Sequence, residues 1–299
     1  MAALLAGATL ALGPAAPAGA AAAPPSAAPL TIGLTYRLPS AVLGDVRELN
    51  VRLPAGYAPG KRTYPVLYLL DGAADQDFEH IAGLAQLGDV SGTFGPFIVV
   101  GVQTRARRAE LTPPATDARY RRAFPEAGGA ARFRRFLAEE AMPFIAARYG
   151  QPSRRAILGE SLAGLFVVDT LLRAPDLFDD YVAVSPSLWW DDRAGLRDLG
   201  MSLDPRAMAG RRLVLAVADE GGTMQAGIDL LREALGPLTA SGFSLTYDDR
   251  SATETHATVL HPAALAAFRK LYPAPPADYG PTPWFMIEGG RPTPDGGRR

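Results

Sequence analysis

The sequence predicts an α/β protein with a mostly parallel, eight-stranded sheet covered by helices on both faces. Three observations carry that expectation. Short, continuously apolar β-rich runs recur along the chain, as in strands buried on both sides. Helical periodicity fills the intervals between many of them, the pattern of βα units. The chain has 299 residues, 48% of them hydrophobic, enough to bury one substantial core without subdivision.

The first two strands, about Leu30 to Leu38 and Val46 to Leu53, mix polar and apolar residues and are followed by Pro54 and Gly56, which suggests antiparallel edge strands. The runs then become continuously apolar. Val66 to Leu70 ends at Asp71-Gly72, Phe97 to Val102 follows Pro96, and Ala156-Ile157-Leu158 runs into Gly159. Tyr181 to Val184, Leu213 to Val217 and Phe243 to Tyr247 complete the eight. Helical spacing is clearest from Ala130 to Tyr149, where Phe133, Phe136, Leu137, Ile145 and Tyr149 recur despite Pro143. Shorter helices are expected at about Leu162–Arg173, Met224–Leu235 and Pro262–Leu271. The stretch from Thr104 to Glu126, with six Arg, three Pro and no apolar period, reads either as a wall of the crevice at the strands' carboxyl ends or as a solvated excursion.

Residues 1–29 are almost wholly Ala, Leu, Gly and Pro, with small residues around Ala18 to Ala23 that would suit a signal peptidase. The apolar run from Ala2 to Leu12 is too short, and too soon broken by Gly13 and Pro14, to span a bilayer. No Lys or Arg precedes it. The expectation is a signal peptide or disordered leader over 1–29, a main domain over 30–272 and a Pro/Gly-rich tail over 273–299, with the mature protein periplasmic or secreted. Thirty basic against 31 acidic side chains give a net charge of −1, which argues against nucleic acid or an anionic membrane as partner. Because the chain has no Cys, disulfides, thiolate metal sites and a cysteine nucleophile are excluded.

The chemistry is expected around Ser161. Ala156 to Phe166 reads as an apolar strand, a tight small-residue turn holding Ser161, and an apolar helix, the context a nucleophile elbow requires. Gly159 and Ala163 flank the serine at two residues' distance and Gly164 follows, so the usual G-x-S-x-G becomes G-x-S-x-A-G. Alone, such a serine also serves as a helix N-cap. Chain order adds to the case, since an elbow serine is followed first by an acid and then by a histidine, each after a later strand. His256 lies after the last expected strand and before the last helix. His261 is its rival, and His80 precedes Ser161. The acid should follow Leu213 to Val217, where Asp219 and Glu220 stand side by side. Glu220 is preferred for its longer reach beside Gly221-Gly222, with Asp219 the alternative and Glu254 a third candidate. The oxyanion donors expected are the backbone N–H groups of Leu162 and Ala73. Trp189 and Trp190 are candidate walls for an acyl or aromatic group, or core residues. Arg105 and Arg108 suit an anionic ester.

Taken together, these pieces resemble the putative-esterase family that contains ferric-enterobactin esterases and esterase D, within the α/β-hydrolases. The resemblance lies in Leu70-Asp71-Gly72, in Gly159 to Phe166, in Ser185-Pro186-Ser187-Leu188-Trp189-Trp190, and in Glu254-Thr255-His256. It spans roughly residues 30–272. It implies an α/β-hydrolase fold and a serine carboxylesterase, built as a monomer or weak homo-oligomer, without metal or organic cofactor. It further implies a small-molecule ester substrate, such as a siderophore lactone or an acyl thiol adduct. Ser161 and His256 match the family's motifs, and the choice of acid stays open. Acyl transfer through the same residues, or a catalytically silent binding protein on this scaffold, are the alternatives.

Overall fold

The computed structural model describes residues 27–197, 199, 203–274 and 282–286. The chain divides into Met1–Thr31 and Ile32–Arg299. Within the first unit only residues 27–31 are described, and they carry no regular secondary structure. The expected leader therefore lies almost wholly outside the described residues, as does most of the expected tail, in which Trp284–Met286 forms one 3₁₀ turn.

In the second unit, β1 (Leu34–Ser40), β2 (Asp45–Arg52), β3 (Val66–Leu70), α1 (Phe78–Ser91), β4 (Ile98–Val102), α2 (Arg107–Leu111) and α3 (Ala118–Ala123) follow in order. Next come α4 (Ala130–Phe136), α5 (Met142–Tyr149), β5 (Arg155–Glu160), α6 (Leu162–Arg173), β6 (Asp180–Val184) and β7 (Arg212–Val217). They are followed by α7 (Gly222–Leu235), β8 (Ser244–Asp249) and α8 (Leu260–Leu271). The eight strands form one sheet in the order β1-β2-β4-β3-β5-β6-β7-β8. Both β1–β2 and β2–β4 pair antiparallel, and the remaining pairs are parallel.

Alternation along the central strands feeds two separate cores. Val66, Tyr68 and Leu70 join the core beneath α4 to α7, with Phe133, Phe166 and Leu231. Leu67 and Leu69 face the other way, onto α1 and α8, with Ile81 and Phe268. Neither face of β3, β4 or β6 reaches water, which is why their sequences are continuously apolar. The edge strand β8 is different: none of its residues is fully buried.

Three expectations need correction. Only β1 is an edge strand at that end, because β2 lies between β1 and β4; the one exposed residue of β2, Val46, is near its start, and its second half is buried. The helix expected from Ala130 to Tyr149 is interrupted by a π-helical turn, Leu137–Ala141. Pro143 lacks an N–H and its ring crowds the carbonyl a turn earlier, and the wider turn just before it accommodates both defects. The Thr104 to Glu126 excursion carries α2 and α3, too short to generate a detectable period. One helix, α1, was not expected. Its buried positions Phe78, Ile81, Ala82, Ala85 and Gly88 do follow a helical stripe, but Ala and Gly make that stripe faint.

Candidate active site

Ser161 sits at the junction of β5 and α6 with φ 58° and ψ −117°, a region costly for a residue with a Cβ. The surrounding backbone holds it there: Ser161 N–H donates to Val184 O at 3.0 Å, and Ser161 O accepts from Leu165 N and Ser187 N at 2.9 and 3.0 Å. The two glycines of G-x-S-x-A-G have distinct tasks. A Cβ on Gly159 would lie 2.6 Å from the Ala163 carbonyl carbon and 2.7 Å from its Cβ, so Gly159 is what lets α6 approach β5. A Cβ on Gly164 would lie 2.9 Å from Val184 O and 3.0 Å from the Cα of Pro186, so the second glycine serves contact with the end of β6. The alanine between them is fully buried.

Leu162 is the first residue of α6, so its N–H has no intrahelical acceptor and points where the helix dipole favours negative charge. The Ala73 N–H, by contrast, donates to Gln76 Oε1 at 3.0 Å, and Gln76 Nε2 in turn donates to Thr104 O at 2.9 Å. The second expected oxyanion donor is thus occupied by a side chain that would have to be displaced.

The loops after β7 and β8 bring acid and base together. Glu220 Oε1 lies 2.9 Å from His256 Nδ1, while Glu220 Oε2 accepts from Ala218 N–H at 3.0 Å. A backbone bond from Asp219 N–H to Glu254 O, 3.1 Å, ties the two loops to each other. Asp219 itself is exposed, and its neighbour alone reaches the imidazole. Burial pushes the Glu220 carboxyl up, but the neighbouring Ser185 hydroxyl, His256 and backbone N–H groups outweigh it, leaving its pKa below the ordinary value. His261 is exposed on α8 and packs against His80, ring centroids 5.0 Å apart, so the two remaining histidines pair with each other.

Other expected contacts distribute unevenly. Trp190 is 3% exposed, with its indole N–H on Pro113 O at 3.0 Å. It packs as core, because Tyr120 of α3 and Phe124 just after it cover it, at 5.5 and 5.6 Å between ring centroids. Trp189 is only partly buried and lies 6.4 Å from Tyr120. Arg105 donates to Gln103 Oε1 and lies 3.7 Å from Asp45, and Arg108 pairs with Glu126 at 3.3 Å while lying over Phe124. Both guanidinium groups are half exposed and already lie beside a carboxylate of the chain.

Charged side chains gather next to Ser161 that its sequence motif does not announce. Arg107 Nε donates to Asp71 Oδ2 at 2.9 Å, and its Nη2 reaches Glu160 O at 3.4 Å. Asp71 also accepts from the Thr104 hydroxyl, joining the loops after β3 and β4. Glu160, immediately before Ser161, is pushed up to about 7, chiefly by burial and also by Asp77 and Asp71, against the opposing pull of His256 and Arg107. Burial and Asp71 likewise raise Asp77, against His80, His261 and Arg107. Of this group only Glu160 adjoins Ser161 in the sequence, and nothing in the spacing of Asp71, Asp77 or Arg107 pointed to it. No cluster among the described residues could hold a metal ion.

A mostly parallel sheet with a strained serine at a strand–helix turn, and with an acid and a histidine after the last two strands, defines an α/β-hydrolase fold. The chain belongs to the family described as Putative esterase, whose model matches residues 40–224. It is 35% identical over 150 residues to the ferri-bacillibactin esterase BesA of Bacillus subtilis, covering 44% of this chain and 51% of that protein. With the siderophore triacetylfusarinine C esterase of Aspergillus fumigatus it shares 30% identity over 148 residues, 44% of this chain and 47% of the other. The aligned segment spans about half the length of these curated relatives. Among solved structures, an IroE-like serine hydrolase from Shewanella oneidensis superposes with a TM-score of 0.68 at 28% identity, covering 80% of both chains.

Proposed function

We propose that the chain hydrolyses small carboxylic esters through an acyl-enzyme on Ser161. The observation that carries this reading is the 2.9 Å contact between Glu220 Oε1 and His256 Nδ1, in a chain whose elbow serine, Ser161, is held at a strained φ of 58°. Glu220, ionised, fixes the imidazole tautomer that leaves Nε2 free as a base and stabilises the imidazolium that forms. Ser161 Oγ then bonds to the ester carbonyl carbon as its proton passes to His256. The carbonyl oxygen becomes an alkoxide facing the Leu162 N–H, with Ala73 N–H as the second donor once Gln76 withdraws. Collapse breaks the ester C–O bond, His256 returns the proton to the leaving alcohol, and water repeats the sequence to release the acid.

The relatives' names support siderophore-like esters as the substrate class. Trp189, the less buried of the two tryptophans, is the one we read as a wall for an acyl group, whereas Arg105 and Arg108 would first have to leave their internal carboxylates to meet an anionic one. The Ala/Pro-rich leader supports export to the periplasm or medium, which the N-terminal residue of secreted material tests. Among the described residues no helix is long and apolar enough to cross a membrane.

The decisive test is intact mass after exposure to a fluorophosphonate. Wild type is expected to gain one adduct that Ser161→Ala abolishes and His256→Ala slows sharply. Absence of an adduct on folded wild type would refute the reading and leave a silent binding protein.

A further inference from the structure

The Ser185-Pro186-Ser187 turn follows β6, and each of its serines stands against one part of the site. Ser187 is 3% exposed, and its Oγ lies 3.3 Å from Ser161 Oγ. Its N–H also donates to Ser161 O at 3.0 Å, so side chain and backbone lock the same pair. Ser185 is fully buried with φ 39°, and its N–H donates to Ala216 O at 2.8 Å. Its hydroxyl is near enough to Glu220 to favour the ionised carboxylate, yet outside ordinary hydrogen-bond geometry. A turn that could simply have walled the pocket is instead built into the reacting residues.

Resting on the reading of Ser161 as nucleophile, we propose that Ser187 is a positioning residue whose hydroxyl donates to Ser161 Oγ and thereby leaves the Ser161 proton for His256. A hydroxyl has one proton to give and two lone pairs to accept with. Ser187 is too buried to spend its proton on water, and among the described residues Ser161 Oγ is the partner its hydroxyl meets. If the donation ran the other way, the Ser161 proton would be tied up and the nucleophile would face its base without one to transfer. As the proton leaves, negative charge builds on Oγ, and a donor already aimed at that atom forms a stronger, charge-assisted bond. The interaction therefore gains strength in the transition state, which raises kcat rather than lowering KM. Departure of Ser161 Oγ during deacylation gains in the same way.

The test compares two pairs that differ by the hydroxyl, wild type with Ser187→Ala and the isosteric Ser187→Thr with Ser187→Val, on a neutral p-nitrophenyl ester from pH 5 to 9. In each pair the hydroxyl-bearing member should have a kcat roughly 10-fold higher, the scale of one net hydrogen bond, with KM within about 2-fold. The midpoint of the acidic limb should stay in place, since Ser187 touches the nucleophile and not the imidazole. Fluorophosphonate labelling of Ser161 should slow in step with kcat. Equal kcat within both pairs, or a fall accompanied by a displaced acidic limb, would overturn the proposal. Failure of wild type itself to label would instead refute the nucleophile assignment.

Discussion

Replacing Gly159 by Ala tests whether close approach of strand and helix is what builds the elbow. The added Cβ would sit 2.6 Å from the Ala163 carbonyl carbon and 2.7 Å from its oxygen, whereas carbon atoms rest comfortably at about 3.5 Å. The first turn of α6 must therefore withdraw by roughly 0.9 Å, the difference between that resting distance and the contact. Because the obstacle is backbone, no rotamer relieves it. Overpacking of this kind costs about 1–3 kcal/mol, a fall in Tm of roughly 4–8 °C at the middle of that range. The larger effect should be on turnover, since Ser161 and the Leu162 N–H ride on the displaced turn, and a shift of about 1 Å costs roughly 10²-fold. Steady-state hydrolysis and a thermal melt on one preparation measure both quantities. Adding Ala163→Gly removes the 2.7 Å contact with its Cβ but not those with the peptide, so rescue should be partial. A Gly159→Ala protein with unchanged kcat and Tm would show that the strand–helix approach is not the constraint.

Three further perturbations probe the surroundings. Glu220→Gln should lower kcat by about 10³-fold through loss of the imidazolium's counter-charge, while the exposed Asp219→Asn should stay within about 2-fold; the reverse ranking would reassign the acid. Glu160, shifted from 4.5 to about 7, keeps a proton in the folded chain that the unfolded chain has released between those values. Its stabilising contribution is full below about pH 4.5 and is lost as pH rises through about 7, so Glu160→Gln should flatten the pH dependence of Tm in that window by about 1–2 kcal/mol after solvent screening. Superimposable pH–Tm curves would contradict this. Asp191, 4% exposed, accepts from Thr116 N, Thr116 Oγ1 and Asp117 N at 2.7, 2.8 and 2.9 Å. Asp191→Ala strands these donors, and should cost about 3 kcal/mol and speed proteolysis near residues 112–124; an unchanged digest would exclude that anchoring role.

Much of the fold was legible because burial on both faces writes itself into sequence as uninterrupted runs such as Val66 to Leu70, and because the serine turn needs small residues at fixed spacing. Chain order put His256 and the acidic pair after the last two strands, and β7 and β8 do end just before them. Other features depend on distances that spacing does not encode. Reach alone favoured Glu220 over Asp219 in the sequence, whereas the 2.9 Å contact of Glu220 with His256 Nδ1 depends on how the two loops meet. Trp190 is core because α3 lies over it, and α3 is only six residues long. Gln76 on the Ala73 N–H, and Arg107 bridging Asp71 to the backbone of Glu160, join loops far apart in the chain through single side chains. No periodicity reports contacts of that kind.

The parts of the site are unequally anchored. Ser161 leaves β5 in the interior of the sheet and Glu220 leaves the buried strand β7, but His256 follows β8, which pairs on one side only and has no fully buried residue. Opening of that margin exposes few apolar contacts and so requires much less free energy than global unfolding. Amide exchange should accordingly be fastest, among the parallel strands, in β8, which leads into the His256 loop. On heating, hydrolysis would fail by departure of the histidine while the serine, the acid and both cores remain folded, and cooling would return it without any refolding of the interior.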